Sequence, residues 1–160
     1  MKQKFKRRLI REKVLQVLFA YEMNDESLQF LIDEIFKENE SEVDLKFGNE
    51  LINKIRIHQD ELDEMIKERV ANWEMSRIAL IDKILLRMGI CEMLYFPDIP
   101  PKVSINESIE IAKEYSTAGS GKFINGILDA ILSNERKSGK LKKVGRGLVE
   151  ESITKKPVNK

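Results

Sequence analysis

Apolar residues recur at every third or fourth position along most of the chain, which is the period of an amphipathic α-helix. The clearest example lies near the start, where Ile10, Val14, Val17, Leu18 and Tyr21 share one face. Similar runs predict seven helices, at about 5–23, 28–36, 45–57, 59–70, 76–96, 104–115 and 120–133. No segment alternates apolar and polar residues as a half-buried strand does. The pattern therefore predicts an all-α fold with about seven helices.

Serine residues mark three of the predicted helix starts, because a serine hydroxyl can accept a hydrogen bond from the free backbone amides there. Ser27 precedes the second helix, and Ser76 precedes the long central one. Ser104 and Glu107 match the reciprocal capping box, which predicts that a helix begins at Ser104. The central helix must end near Pro97, since proline interrupts helical hydrogen bonding.

The segment TAGSGKFINGILD, residues 117–129, contains the letters GSGK and so resembles the end of a phosphate-binding loop. That loop requires a glycine where Ser116 stands and a serine or threonine where Phe123 stands, so nucleotide hydrolysis is excluded. We predict instead that Ser120 opens the last helix. Its free amides would favour an anion, and Lys122 adds positive charge.

The same segment contains Asn125-Gly126, a dipeptide typical of β-hairpins. No candidate strand lies nearby to complete a hairpin, and the surrounding apolar residues have helical spacing. We therefore place Gly126 inside the last helix, where it would allow a neighbouring helix to approach closely. Phe123, Ile127 and Ile131 repeat every fourth residue, which places Phe123 in the core on spacing alone.

Composition excludes several classes of protein. No run of 18 apolar residues exists, so we expect no membrane span. The single cysteine, Cys91, excludes an internal disulfide and fits a reducing, cytoplasmic setting, and the single histidine, His58, leaves no zinc cluster. We expect no metal, no cofactor and no enzymatic activity.

The acidic residues of the second half of the chain form no recognisable catalytic pair. Spacing relative to lysines along the helices explains most of them as solvated faces. These residues are Asp82, Glu92, Glu107, Glu110 and Asp129.

Charge is distributed unevenly, although the net charge is only +1. Residues 1–13 carry seven cations against Glu12, and residues 133–160 carry nine against three glutamates, so an acidic body lies between two basic ends. Such asymmetry favours a polyanionic partner. We predict one helical domain at 1–137, followed by a basic, disordered tail at 138–160.

The first helix carries the densest positive charge. Lys4, Arg7, Arg8 and Arg11 cluster on the shoulder of its apolar face, and phosphate groups would neutralise them. A solubilising face or a targeting stretch is the alternative interpretation.

Four segments, in the same order, resemble the NusB family of bacterial transcription antitermination factors. They are Arg7-Arg8…Arg11-Glu12…Leu15-Gln16-Val17-Leu18-Phe19-Ala20-Tyr21-Glu22; Trp73…Arg77…Ile81-Asp82…Ile84-Leu85-Leu86-Arg87…Glu92; Pro100…Val103…Ile105-Asn106-Glu107…Glu110-Ile111-Ala112-Lys113; and Lys122-Phe123-Ile124-Asn125-Gly126-Ile127-Leu128-Asp129. The resemblance covers roughly residues 4–133. It implies two packed helical bundles, and binding to the boxA element of ribosomal RNA leaders together with the ribosomal protein NusE. It also implies action on the RNA polymerase elongation complex.

The resemblance also implies site residues. The RNA-binding set is Lys2, Lys4, Arg7, Arg8, Arg11, Lys122 and Phe123. The NusE-binding set is Phe19 and Asp82. Phe123 therefore has two interpretations, as a core residue by spacing and as an RNA-contacting residue by resemblance.

Two other functions remain open from the sequence. Similar helical domains precede the catalytic domain of ribosomal RNA cytosine methyltransferases, although this chain has no room for that catalytic domain. A protein–protein adaptor, whose basic helix binds an acidic protein, is the other. The sequence leaves a homodimer open as well.

Overall fold

A computed structural model describes residues 2–37 and 40–149, without the side chains of residues 2–5, 72 and 73. Eight α-helices and a 3-10 helix at Gly145–Leu148 occur within that range. The α-helices are α1 (Lys2–Met23), α2 (Leu28–Ile35), α3 (Glu42–Ile57), α4 (Gln59–Lys67), α5 (Asn72–Met75), α6 (Leu80–Tyr95), α7 (Pro101–Tyr115) and α8 (Ser120–Lys137). No strand interrupts this part of the chain, which confirms the all-α prediction.

The helices form two packed groups. The first contains α1 to α5, with α1 lying against α2 and α3, and the second contains α6, α7 and α8. The central helix α6 joins them, because it packs on α1, α3 and α4 as well as on its own group. Seven of the described helices have eight or more residues, as the apolar periodicity predicted, and α5 is a single four-residue turn.

Close packing within the second group depends on Gly89 and not on Gly126. A methyl group added at Gly89 would lie 2.8 Å from Leu128 Cδ1, whereas one added at Gly126 would have no neighbour within 4 Å. The prediction that Gly126 permits close helix approach is therefore wrong. The helical position of Gly126 within α8 is confirmed.

The three predicted helix starts have different outcomes. Ser27 caps α2, accepting a hydrogen bond from the Phe30 amide at 3.1 Å. Ser76 does not begin the central helix, because it follows the short α5 and α6 begins only at Leu80. The capping box is also wrong, since Pro101 opens α7 and Ser104 lies one turn inside it. Proline suits a first helical position, where no amide donor is needed.

The described part of the basic tail, residues 138–149, packs on the body of the protein, whereas composition predicted disorder from residue 138. Leu141 contacts the core, and the Val144 amide donates to the Pro97 carbonyl at 3.0 Å. Specific backbone contacts hold this segment, and its charge-rich composition gives no indication of them. The rest of the tail, 150–160, lies outside the described residues.

Candidate nucleic-acid interface

The basic residues of α1 mostly face other parts of the protein. Arg8 forms a two-point ion pair with Glu107 on α7, with Nε–Oε1 and Nη2–Oε2 distances of 2.8 and 2.9 Å. The Arg8 side chain keeps 25% of its surface exposed, while that of Glu107 keeps 7%. The hydrogen bonds and charge of Glu107 raise the pKa of Arg8 despite its partial burial. Arg8 therefore links α1 to α7 and still presents an edge to solvent.

Arg11 lies deeper and is enclosed by protein. Its guanidinium forms a two-point pair with Glu92 on α6, at 2.7 and 2.8 Å, and Arg11 and Glu92 are only 4% and 2% exposed. The buried Ser104 hydroxyl donates to the same carboxylate at 2.8 Å. Burial acts to lower the pKa of Arg11, but the charge and hydrogen bonds of Glu92 raise it overall. The cluster therefore connects α1, α6 and α7.

These contacts correct two expectations from the sequence. Glu92 and Glu107 belong to no solvated face, since each neutralises an arginine of α1. Arg11 is not placed to bind RNA, because a phosphate could reach its guanidinium only after the cluster had opened. The signal for this pair was that Arg11 borders the apolar face of α1 and Glu92 lies within the apolar face of α6, since buried charges require partners.

Arg7 packs in a different direction, toward α3. Its guanidinium lies over the Phe47 ring at 4.0 Å from the centroid, and the Phe96 ring meets Phe47 edge-on at 5.6 Å. Burial, followed by the nearby charge of Arg11, lowers the pKa of Arg7. A surface cavity of about 220 Å³ opens beside this stack and is lined partly by Asp98. Arg7 thus stands half-buried at the edge of a recess.

Lys122 and Phe123 occupy the first turn of α8, and both are exposed. Phe123 leaves 36% of its surface open, whereas Ile124, Ile127 and Leu128 form the buried face. The structure therefore decides against a core position for Phe123. Lys122 and Phe123 are placed where a ligand could meet both of them.

Asp82 is responsible for holding that first turn in place. Its carboxylate accepts hydrogen bonds from the Ser116 hydroxyl at 2.7 Å and the Ser120 hydroxyl at 2.8 Å. Asp82 is 7% exposed, so its carboxylate faces this loop and does not form a surface contact point. Phe19, the other residue expected to bind NusE, is half-buried at the edge of the core and therefore partly accessible.

The arginines of α1 and the first turn of α8 contact α7 at different residues. Arg8 contacts α7 at Glu107, and a side chain at Gly121 would touch Ile109 at 3.4 Å. Two residues along a helix correspond to about 200°, so the two basic elements flank nearly opposite faces of α7. A ligand touching both must cross α7, over a width of about 10–12 Å. The side chains of Lys2 and Lys4 lie outside the described residues.

Among the described residues, no three His, Cys, Asp or Glu side chains are grouped as a metal site would require. Within the same residues, no helix has both the length and the apolar character needed to cross a membrane.

The sequence matches the model of the NusB family over residues 8–133. The transcription antitermination protein NusB of Chloroherpeton thalassium is 46% identical over 155 residues, covering 95% of this chain and 73% of that protein. The NusB protein of Salinibacter ruber is 44% identical over 147 residues, covering 89% and 91%.

Solved structures give the same relationship. NusB of T. maritima superposes with a TM-score of 0.74 at 37% identity, covering 79% of this chain and 90% of the other. A crystal structure of the antitermination factors NusB and NusE with double-stranded RNA gives a TM-score of 0.72 at 22% identity, covering 84% and 99%. At that lower identity the similarity establishes the fold alone.

Proposed function

The chain belongs to the NusB family, and we propose that it binds boxA-type RNA of ribosomal RNA leaders as a complex with the ribosomal protein NusE. In this proposal the complex acts on elongating RNA polymerase and suppresses termination. NusB proteins are antitermination factors and not enzymes. The main support is family membership together with a related NusB that was crystallised with NusE and RNA.

The RNA-binding surface that we propose is smaller than the set expected from sequence. Arg7 and Arg8 are its centre on α1, because both are only partly buried. Lys6, exposed on the same helix, joins them. Arg11 becomes a positioning residue, which fixes α1 through Glu92. Phosphate groups would bind here as counterions are released.

The first turn of α8 supplies a second contact. Lys122 offers a cation, and the open face of Phe123 offers a stacking surface for a base. Stacking of one base on an aromatic side chain contributes about 1–3 kcal/mol. The RNA would reach this turn by crossing α7, on which Lys113 is exposed and paired with Glu110 at 2.9 Å.

The NusE-binding surface that we propose lies on the last turns of α1. Phe19 is half-buried there, and Met23, one turn further along, is 62% exposed. Exposed apolar side chains at a helix end suit a protein partner. Asp82 would act indirectly, because it positions the α7–α8 loop.

A gel-shift series tests the proposal. Labelled boxA-type RNA and a scrambled RNA of equal length are titrated with the protein, with and without NusE, at two salt concentrations. We expect tighter binding to boxA, further tightening by NusE and weaker binding at high salt. Arg7→Ala and Phe123→Ala should each weaken binding, and Lys67→Ala, on the exposed end of α4, is the control. Equal affinity for the two RNAs in the presence of NusE would overturn the proposal.

A further inference from the structure

Residues 140–149 form a segment that we name the C-terminal strap, because it crosses the α6–α7 connection and is fixed to it. The Lys143 ammonium donates to the carbonyl oxygens of Glu92 and Phe96, at 3.2 and 2.9 Å. These carbonyls belong to the last turn of α6, whose partial negative charge favours a cation. The Val144 amide donates to the Pro97 carbonyl at 3.0 Å.

A glycine completes the attachment of the strap. Gly147 is buried against the α6–α7 connection, and an added methyl group would lie 1.9 Å from the Pro97 carbonyl oxygen. Backbone atoms cannot yield as a flexible side chain can, so the strap fits closely only with glycine here. Three attachments within five residues give its remaining side chains defined positions.

The strap and the basic end of α1 both lie against the α6–α7 connection. The cavity that Arg7 lines is bounded on its other side by residues 96–99, and Pro97 in that connection holds the strap. Asp98 and Glu92 each interact electrostatically with both Arg7 and Lys143. Fold geometry thus brings the two basic ends of the chain to the same connection.

Charge on the strap is of one sign. Residues 140–149 carry four Lys or Arg residues and no Asp or Glu. The side chains of Lys140, Lys142 and Arg146 are exposed, whereas the Lys143 ammonium is hydrogen-bonded to backbone carbonyl groups. Fixed like charges repel one another unless an anion lies between them, and regularly spaced phosphates would relieve that repulsion.

We propose that the C-terminal strap is a second arm of the RNA-binding surface. Lys142 and Arg146 bind phosphates of the same RNA strand that Arg7 contacts, on the far side of the Pro97 connection. The inference rests on the RNA binding proposed above and extends its footprint. The strap lies beyond residues 8–133, the part of the chain that the family model matches.

Fluorescence anisotropy with labelled boxA-type RNA, NusE and the full chain tests the inference. The test variant is Lys142→Ala/Arg146→Ala. On single strands each phosphate contact contributes about 0.7 to the salt slope, so loss of two contacts should reduce the slope by about 1.4. At 0.1 M salt that change weakens binding about 25-fold. The matched control is Lys67→Ala/Arg69→Ala, which also removes two exposed cations. Lys67 ends α4 and Arg69 follows that helix. Tyr95, which lines the Arg7 cavity, stacks on His58 at the opposite end of α4.

A third variant tests whether attachment of the strap matters. Gly147→Ala keeps every cation but prevents close fit against Pro97, so it should also weaken binding, with the helical circular dichroism signal unchanged. Wild-type affinity for Gly147→Ala would overturn the fixed-arm geometry, as would wild-type affinity for the double strap variant. In either case weaker binding by Arg7→Ala would leave the proposed function standing. Absence of RNA binding by the wild-type chain with NusE would instead remove both.

Discussion

Arg11→Ala separates a structural arginine from an RNA-binding one. In the structure the Arg11 guanidinium is the only cationic group that forms an ion pair with Glu92 among the described residues, and the carboxylate is 2% exposed. Truncation at Arg11 leaves that carboxylate with one hydrogen bond, from Ser104 at 2.8 Å. The variant therefore isolates a buried negative charge.

The expected loss of stability follows from that burial. Removing one partner of a buried pair typically costs about 3–5 kcal/mol in the free energy of unfolding. For a domain of this size, each kcal/mol lowers the melting temperature by about 2–4 °C, so a decrease of about 6–20 °C is expected. Arg8→Ala should cost less, about 1–3 kcal/mol, because the Arg8 side chain is partly exposed and the Arg11 guanidinium stays 3.8 Å from the buried Glu107 carboxylate.

Urea unfolding followed by circular dichroism measures both variants, and RNA titration below the melting temperature measures their salt slopes. Arg11→Ala should unfold early and keep the wild-type slope, whereas Arg8→Ala should lower the slope by about 0.7, one phosphate contact. The double substitution Arg11→Met/Glu92→Leu is the control, since it removes both charges and should recover most of the stability. The double variant should therefore have a higher free energy of unfolding than Arg11→Ala.

Two results would refute this reasoning. One is a free energy of unfolding for Arg11→Ala within about 1 kcal/mol of the wild type, which would mean that Glu92 tolerates isolation. The other is wild-type stability combined with a reduced salt slope, which would return Arg11 to the RNA surface.

Three further predictions concern other parts of the fold. Gly89→Ala should destabilise the protein by about 1–3 kcal/mol, because the added methyl overlaps Leu128. Gly126→Ala, measured in the same thermal melts, should stabilise it by up to about 1 kcal/mol. Equal shifts in melting temperature for the two variants would contradict the packing. Asp82→Ala should lower the free energy of unfolding by about 2 kcal/mol, because the hydrogen bonds at the start of α8 are lost. It should also weaken RNA binding, because the turn that carries Lys122 is no longer held. Wild-type stability together with wild-type RNA affinity would contradict this role. Burial lowers the pKa of Lys143 to about 8 from its ordinary 10.5, so an NMR titration of Lys143 should show a midpoint near pH 8. Folding stability should rise between pH 8 and 10.5, because the unfolded chain binds more protons there. A midpoint near 10.5 would mean that the strap is not attached.

Apolar spacing was sufficient to predict the helices, because a 3.6-residue repeat depends on local sequence and on one buried face. The first helix was predicted from Phe5 and observed from Lys2, and both end at Met23. Helix starts were less predictable, because a serine has several possible partners. Ser104 fits a capping box by local spacing, but in the folded chain its hydroxyl meets Glu92, twelve residues earlier.

The roles of the arginines could not be obtained from the sequence of α1 alone. Arg7, Arg8 and Arg11 are chemically identical, and what separates them is the group each meets across the fold. Arg11 is itself buried against a buried carboxylate, Arg8 is partly exposed while it pairs with another, and Arg7 meets an aromatic ring. Exposure of Phe123 likewise depends on how α8 is rotated against its neighbours, and the apolar spacing allowed both outcomes.

The long sequence separation of the α1 ion pairs has a consequence for biosynthesis. The acids that neutralise Arg11 and Arg8 lie 81 and 99 residues further along the chain. A ribosome makes the chain from its amino terminus, so α1 emerges long before either acid exists. During that interval the nascent helix is a bare polycation beside ribosomal RNA, and it gains its internal counter-charges only after α6 and α7 have been translated.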